Sequence, residues 1–459
     1  MKSLSRTFDK LVSRTLDRHV RLAITGLSRA GKTAFITSLV NQLLHSGTHD
    51  ALPLFAPSRE GRLVGARREQ QVDLSMPSFA YDEAMGALNS QPPRWPEPTR
   101  DVSEIRLALR YRVKGSAMSM LQETAMLYID IVDYPGEWLL DLPMLNLDFA
   151  SWSKLQCEKL TGCRAEAAKV WLAAMESVDL NATADDGEIA RISELYTDYL
   201  HRCKDECGLH YVQPGRFVLP GELAGAPVVQ FFPVTGDMPE KPAEGSYYAR
   251  LKQRYDYYCQ HVVKKFYREY FSSFDRQIVL VDALQPLNQG MEVFGDMRQA
   301  LSELIESFHY GRNSLLKRLF SPRIDKLLFA ATKADHITPD QHANLVAMLN
   351  QLIYGARQKV TFDGIAIECI SIASIEATEA GYVAHDGKQV PALRGTNLDG
   401  QALTVYPGDV PAKLPDAEYW QKQGFDFQAF RPKAVSMDDP LPHIRMDKAL
   451  QFLLGDKLK

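Results

Sequence analysis

The chain has 459 residues, 45% of them apolar and 24% charged, with a formal net charge of −4. That composition suits a folded protein with a large buried core. Its net acidity gives no whole-protein attraction to nucleic acid, so no nucleic-acid partner is expected. No stretch reaches the roughly 18 to 20 apolar residues of a membrane span, and the start of the chain lacks the apolar run of a secretory signal.

In chain order, residues 1–20 read as an amphipathic helix, with Leu4, Phe8, Leu11, Val12 and Leu16 near one face. From Met1 to Arg21, Lys2, Arg6, Lys10, Arg14, Arg18 and Arg21 outnumber Asp9 and Asp17, a pattern able to lie on an anionic membrane surface. Packing of the stripe on the protein's own core is the preferred reading. Arg21–Thr25 predicts a short strand, followed by a glycine-rich turn and a helix over Thr33–Leu44. Residues 50–102 read as loop-rich because of Pro53, Pro57, Pro77, Pro92, Pro93, Pro96 and Pro98, with room for a helix at Ser78–Asn89. Strands at Glu104–Val113 and Thr124–Val132, linked through Gly115, predict an antiparallel pair. Helices follow at Phe149–Lys159, Arg164–Ser177, Gly187–Cys207 and Ser246–Tyr270, with an irregular stretch at 208–245. Strand character returns at Gln277–Val281, Lys326–Ala331 and Ile365–Ile370, separated by helical segments near 291–318 and 339–356. This alternation predicts a parallel sheet covered on both faces. Residues 380–415 suggest a hairpin extension, with turns at Asp386-Gly387 and Asp399-Gly400, and a last helix runs over Met446–Leu454.

The cysteines are Cys157, Cys163, Cys203, Cys207, Cys259 and Cys369, with no CxxC pair. Zinc would need His201 and His210 beside Cys203 and Cys207, so reduced cysteines in a helix are the simpler reading, as in a reducing cytoplasm.

Gly26-Leu-Ser28-Arg29-Ala30-Gly31-Lys32-Thr33 fits G-x-x-x-x-G-K-[ST] between a strand and a helix. Glycines let backbone N–H groups turn around phosphates, and the helix N-terminus favours their charge. Ser28 to Ala34 are therefore candidate phosphate-binding residues, with Lys32 reaching the β and γ phosphates and Thr33 a ligand of Mg²⁺. Asp133, ending an apolar strand in Asp133-Tyr-Pro-Gly136-Glu137, is placed to hold the metal through water, and the Gly136 N–H to bond a γ-phosphate. Asp130 lies mid-strand and is expected to face the other way. In Thr332-Lys333-Ala334-Asp335, Asp335 is suited to accept from guanine N1–H and its 2-amino group, while the Lys333 stem covers a base face. Adenine lacks those donors. The loop Ser371-Ile-Ala373-Ser374 follows the last strand, where Ala373 and Ser374 could offer N–H groups to the guanine carbonyl.

These motifs, in this order, resemble the small-GTPase pattern of translation-factor-like P-loop proteins. The long helical insert after Asp-Tyr-Pro-Gly-Glu-Trp, and the chain as a whole, resemble the YcjX-like family of bacterial stress-associated P-loop NTPases. The resemblance implies a cytoplasmic GTP-binding protein tied to stress responses, with a membrane protein or membrane surface at the inner membrane as a further partner. Two positions depart from the GTPase pattern. The γ-phosphate-sensing and metal-binding threonine is assigned to Thr99, with Ser103 as runner-up. Glu137, not glutamine, follows Gly136, so turnover should be slow unless another group orients water. Arg29, Arg94 and Arg100 are candidates for an in-cis arginine finger.

The expected fold is an α/β P-loop NTPase three-layer sandwich, with a small-GTPase-like mixed sheet, a large mostly helical insertion and a small β extension near the C-terminus. Residues 20–136 and 274–379 would form the nucleotide domain, 137–273 the insertion, and 380–459 a β-hairpin extension and C-terminal helix. The expected ligands are GTP/GDP and Mg²⁺, and the expected activity is slow GTP hydrolysis. An ATPase, a small-molecule kinase or a membrane-associated nucleotide-gated scaffold are the alternatives.

Overall fold

A computed structural model of the chain describes residues 18–99, 101–114, 123–236, 238–307, 324–362, 364–385, 387–422, 425, 427–436 and 439–459. The expected N-terminal helix lies outside them, except that Arg18, His19 and Val20 already belong to the first strand. The chain groups into two compact units: residues up to Tyr134 with Phe274–Asn288 and Arg323–Lys459, and Pro135–Ser273 with Gln289–Pro322.

The first unit is built on a seven-stranded sheet in the order β2-β3-β4-β1-β5-β6-β7. Its strands are β1 (Arg18–Gly26), β2 (Leu63–Glu69), β3 (Ser103–Arg112), β4 (Thr124–Asp133), β5 (Arg276–Val281), β6 (Lys326–Ala331) and β7 (Ala366–Ser371). The β4-β1-β5-β6-β7 run is parallel, whereas β3 is antiparallel to both β2 and β4. The inner strands are apolar runs, as strands covered on two faces require; every residue of β5 is buried. Strand β2 forms within the stretch expected to be loop. Its sequence Leu-Val-Gly-Ala-Arg-Arg-Glu is too polar and too interrupted by Gly65 to show alternation, and it is recruited by the open edge of β3 with a bulge between Leu63 and Gly65.

Helix α1 (Lys32–His45) and the last helix (Met446–Leu454) share one core with these strands. Phe35, Ile36, Leu39, Val40 and Leu43 pack there with Ile24, Leu280, Leu328, Leu450 and Leu453. The helix α2 (Tyr81–Leu88) adds Met85 and Leu88 to this core, and His342–Leu352 packs against β6 and β7. The C-terminal extension is a three-stranded antiparallel sheet, β10-β9-β8 (Ala402–Val405, Lys388–Thr396, Glu379–His385), one strand more than a hairpin.

The second unit is mostly helical, with α3 (Phe149–Glu158), α4 (Gly162–Met175), α5 (Asp186–Asp205), α6 (Tyr247–Tyr258) and α7 (Met291–Ser307). Caps start three of them: Asp148 accepts from Ser151 N–H, Asp185 from Gly187 N–H and Ser246 from Ala249 N–H. The predicted Ser246–Tyr270 helix is one run interrupted by a π turn at Cys259–Val263. Its core is aromatic: Trp152, Phe231, Tyr255 and Tyr258 meet edge-on or tilted. Helix α7, expected within the nucleotide domain, groups with this unit instead, where Asp296 pairs with Arg164 at 2.6 Å and accepts the N–H groups of His210 and Tyr211.

The expectation of six reduced cysteines is corrected here. Cys163 and Cys207 are disulfide-bonded, with Cα atoms 6.1 Å apart, and the other four are free. The start of α4 and the end of α5 are brought together by the packing of those two helices against each other, a neighbourhood that a separation of 44 residues does not reveal. No helix among the described residues is long and apolar enough to cross a membrane.

Candidate nucleotide-binding site

Strand β1 ends at Gly26, where the chain must turn against β5. A Cβ on Gly26 would lie 2.9 Å from the Leu280 carbonyl oxygen, and Leu27 N–H bonds that same oxygen at 3.2 Å. Only glycine admits this approach. Arg29 and Gly31 then take positive φ, 62° and 80°, and Gly31 caps α1 with no acidic residue in the first turn. The loop so formed presents the N-terminus of a 14-residue helix, whose partial positive charge and unsatisfied N–H groups favour an anion.

A cavity of about 320 Å³ opens over this loop. Arg29, Ala30, Gly31, Lys32, Thr33 and Ala34 line one part, Thr99 closes over them, and Thr332, Lys333, Asp335 and Ser374 line another. The structure thus gathers into one cavity residues from four separate stretches that the sequence singles out. Ser28 is half-exposed on the same loop but does not line the cavity.

Thr99 lies with its Oγ1 3.3 Å from Thr33 Oγ1, and its N–H donates to that oxygen at 3.3 Å. Ser103 is instead buried in β3, in register with Asp133 of β4. Asp133 itself is 1% exposed at the C-terminal end of β4, beside Ile24 of β1. Asp130 points to the other face of the sheet, 3.3 Å from Arg106. The Arg94 side chain lines a neighbouring hollow with Thr33 and Thr99; Arg29 is exposed at the cavity rim, and Arg100 lies outside the described residues.

At the other side of the cavity, Lys333 sits in the left-handed region with φ 59°, which turns the chain so that Asp335 enters a buried 3₁₀ turn. Asp335 Oδ2 accepts the Ala377 N–H at 2.8 Å, and the Thr378 hydroxyl donates to the Asp335 carbonyl, so carboxylate and backbone are both held. The Lys333 ammonium is held 2.5 Å from Asp282 at the end of β5. Burial opposes the charge on Asp282, but the Lys333 ammonium outweighs it and holds the carboxyl below its ordinary range. Asp282 also accepts the N–H groups of Leu284 and Gln285 at 3.2 Å. Sequence reading missed Asp282; a carboxylate directly after an apolar strand, as with Asp133, is the signal that marks it.

Two expectations meet a different local structure. The Ala373 N–H donates to the Ile444 carbonyl at 3.1 Å, so that amide is committed to the fold, and Ser374 with Ile375 are what this loop offers to the cavity. Gly136 and Glu137 open the second unit. There the Glu137 carboxylate is 6% exposed and ion-paired to Lys204 at 2.7 Å. The sequence also did not point to Trp95, His336, Leu398 and Phe430, which complete the cavity wall.

A glycine turn leading from the first strand of a mixed, mostly parallel sheet into a helix, with a lysine and a threonine at the helix start, defines a P-loop NTPase fold. The family model described as YcjX-like family, DUF463, matches residues 20–458, and the chain belongs to that family. It is 54% identical to an Escherichia coli (strain K12) protein named Ras-like GTPase YcjX and 43% identical to a Shewanella oneidensis protein of the same name. The matches cover all of this chain, and 100% and 99% of those relatives.

Proposed function

We propose that the protein binds guanine nucleotides and slowly hydrolyses GTP to GDP and phosphate. The observation that carries this reading is the single cavity holding the phosphate loop at one side and the Thr332–Asp335 turn at the other. The relatives' names support it.

In this reading the amides of Arg29 and of Gly31 to Ala34, with the Lys32 ammonium, bind the β and γ phosphates, while the Ala30 N–H is committed to the Leu27 carbonyl at 3.2 Å. The residues also fit Mg²⁺: at a metal–oxygen distance of about 2.1 Å, adjacent octahedral ligands lie about 3.0 Å apart, close to the Thr33–Thr99 hydroxyl separation of 3.3 Å. Thr33 and Thr99 would hold the ion directly and Asp133 through water. Bound there, it would neutralise charge on the phosphates. Asp335, fixed by Ala377, accepts the guanine N1–H and 2-amino hydrogens. Lys333, held by Asp282, lays its methylene stem along the base.

Hydrolysis requires a water to attack the γ-phosphorus as the bond to the β–γ bridging oxygen breaks, leaving GDP and phosphate. The glutamine that orients this water in many GTPases is replaced by Glu137, whose carboxylate is already engaged by Lys204. Slow intrinsic turnover follows. The family resemblance extends the reading to a stress-linked switch.

Calorimetric titration with GTP, GDP and ATP in the presence of Mg²⁺ tests the binding, and phosphate release from GTP tests the chemistry. Guanine nucleotides should bind and ATP should not, and Lys32→Ala should abolish both binding and release. Equal binding of ATP would overturn the base assignment and turn the search to an ATPase or a kinase.

A further inference from the structure

The cavity wall contains a contact between segments 335 residues apart. The Trp95 indole N–H donates to the Phe430 carbonyl at 2.7 Å. Each partner is tied to a different part of the nucleotide site.

Trp95 precedes Thr99 by four residues, with Pro96 and Pro98 between them. Proline fixes φ and stiffens the chain, so a movement of Thr99 is passed to Trp95 instead of being absorbed. Phe430 belongs to the base side. Its ring is 1% exposed and lies 5.4 Å from the ring of His336, the neighbour of Asp335. The ring also fills the space above Gly395 of β9, where a Cβ would come within 2.5 Å of it. The backbone is pinned to the small sheet at Phe430 and at the next residue, by the Phe430–Asn397 bridge and by Arg431 N–H donating to the Thr396 carbonyl at 2.7 Å. Phe430 is thus a fixed post, and Trp95 is the end of a lever that carries Thr99.

We propose that the Trp95–Phe430 hydrogen bond is a latch between the phosphate-sensing segment and the base-side wall, and that it sets how long a triphosphate nucleotide stays bound. The proposal rests on the guanine-nucleotide reading above. With a γ-phosphate present, Thr99 is held inward, the latch is closed, and the nucleotide is enclosed from both sides. With a diphosphate, Thr99 has no γ-phosphate to hold it, the segment relaxes, and the latch contributes little. Trp95 is a positioning residue that acts through Thr99 and Phe430.

The test is the release of fluorescent mant-GTPγS and mant-GDP from the full chain, chased with excess unlabelled nucleotide in Mg²⁺. Trp95→Phe keeps an aromatic side chain and removes the donor. It should speed mant-GTPγS release roughly two- to tenfold, the range of one neutral hydrogen bond, and leave mant-GDP release near the wild-type rate. In a Thr99→Ala background the same substitution should have little further effect, because the two residues act as one unit. Unchanged mant-GTPγS release in Trp95→Phe would overturn the latch. So would equal acceleration of both nucleotides, the signature of a general loosening, or full additivity with Thr99→Ala. If wild-type protein binds neither guanine probe, the guanine-nucleotide reading itself fails, an outcome distinct from binding with unchanged release.

Discussion

If Asp335 reads the base as proposed, replacing it by asparagine should separate base recognition from folding. The carboxylate has two acceptor oxygens, and Oδ2 already takes the Ala377 N–H at 2.8 Å. The amide oxygen of the variant can keep that bond, so the turn should hold its shape. The amide nitrogen, however, is a donor and faces guanine's own donors. The variant therefore loses a charge-assisted hydrogen bond of roughly 1.5–3 kcal/mol. That corresponds to GDP binding weakened by about 10- to 150-fold. Xanthine carries a carbonyl where guanine has its 2-amino group, so a xanthine nucleotide presents one donor and one acceptor, the complement of the amide. Titration of wild type and Asp335→Asn with GDP and xanthosine diphosphate should show the preference invert, with the melting temperature of the free protein little changed. Unaltered GDP affinity would refute the assignment of Asp335 as the base-reading group, and lost affinity for both nucleotides with a lowered melting temperature would show its role to be structural.

Three further outcomes are expected. Gly26→Ala should lower the melting temperature and abolish nucleotide binding, because the added Cβ meets the Leu280 carbonyl at 2.9 Å; a stable, nucleotide-binding variant would show that the turn can shift. Buried Asp141 accepts from Gly215 N–H at 2.7 Å and from the Tyr258 hydroxyl at 2.5 Å, yet burial pushes its carboxyl up to about 6. Its folded pKa lies above the unfolded value, so the stability it contributes is present in acid and is lost as pH rises from about 4 to 6, by roughly 3 kcal/mol. Urea unfolding of the wild type across that window should show this decline, and Asp141→Asn should flatten it; parallel profiles would mean that Asp141 does not titrate there. Alkylation of the denatured, unreduced protein should tag four cysteines, and six after reduction, with Cys163 and Cys207 protected together; six tags without reduction would contradict the pairing.

The sequence alone established whatever depends on residues close together in the chain. Gly26, Gly31, Lys32 and Thr33 span eight positions, and their geometry follows from a strand, a turn and a helix start. The apolar runs within β5 and β6 predict buried parallel strands because such strands cannot alternate polar and apolar faces. Asp133 and Asp335 are legible for the same reason, since each closes or closely follows such a run. Folding in three dimensions decided which of these segments meet. The parallel pairing of β5 with β6 brings Lys333 to Asp282, and the fold brings Thr99 to Thr33, partners 51 and 66 residues apart. The Trp95–Phe430 contact, the Cys163–Cys207 bond and the grouping of α7 with the helical unit have the same origin. Periodicity and turn chemistry report the local backbone, whereas contacts across tens or hundreds of residues are chosen by how whole elements pack to bury their apolar faces.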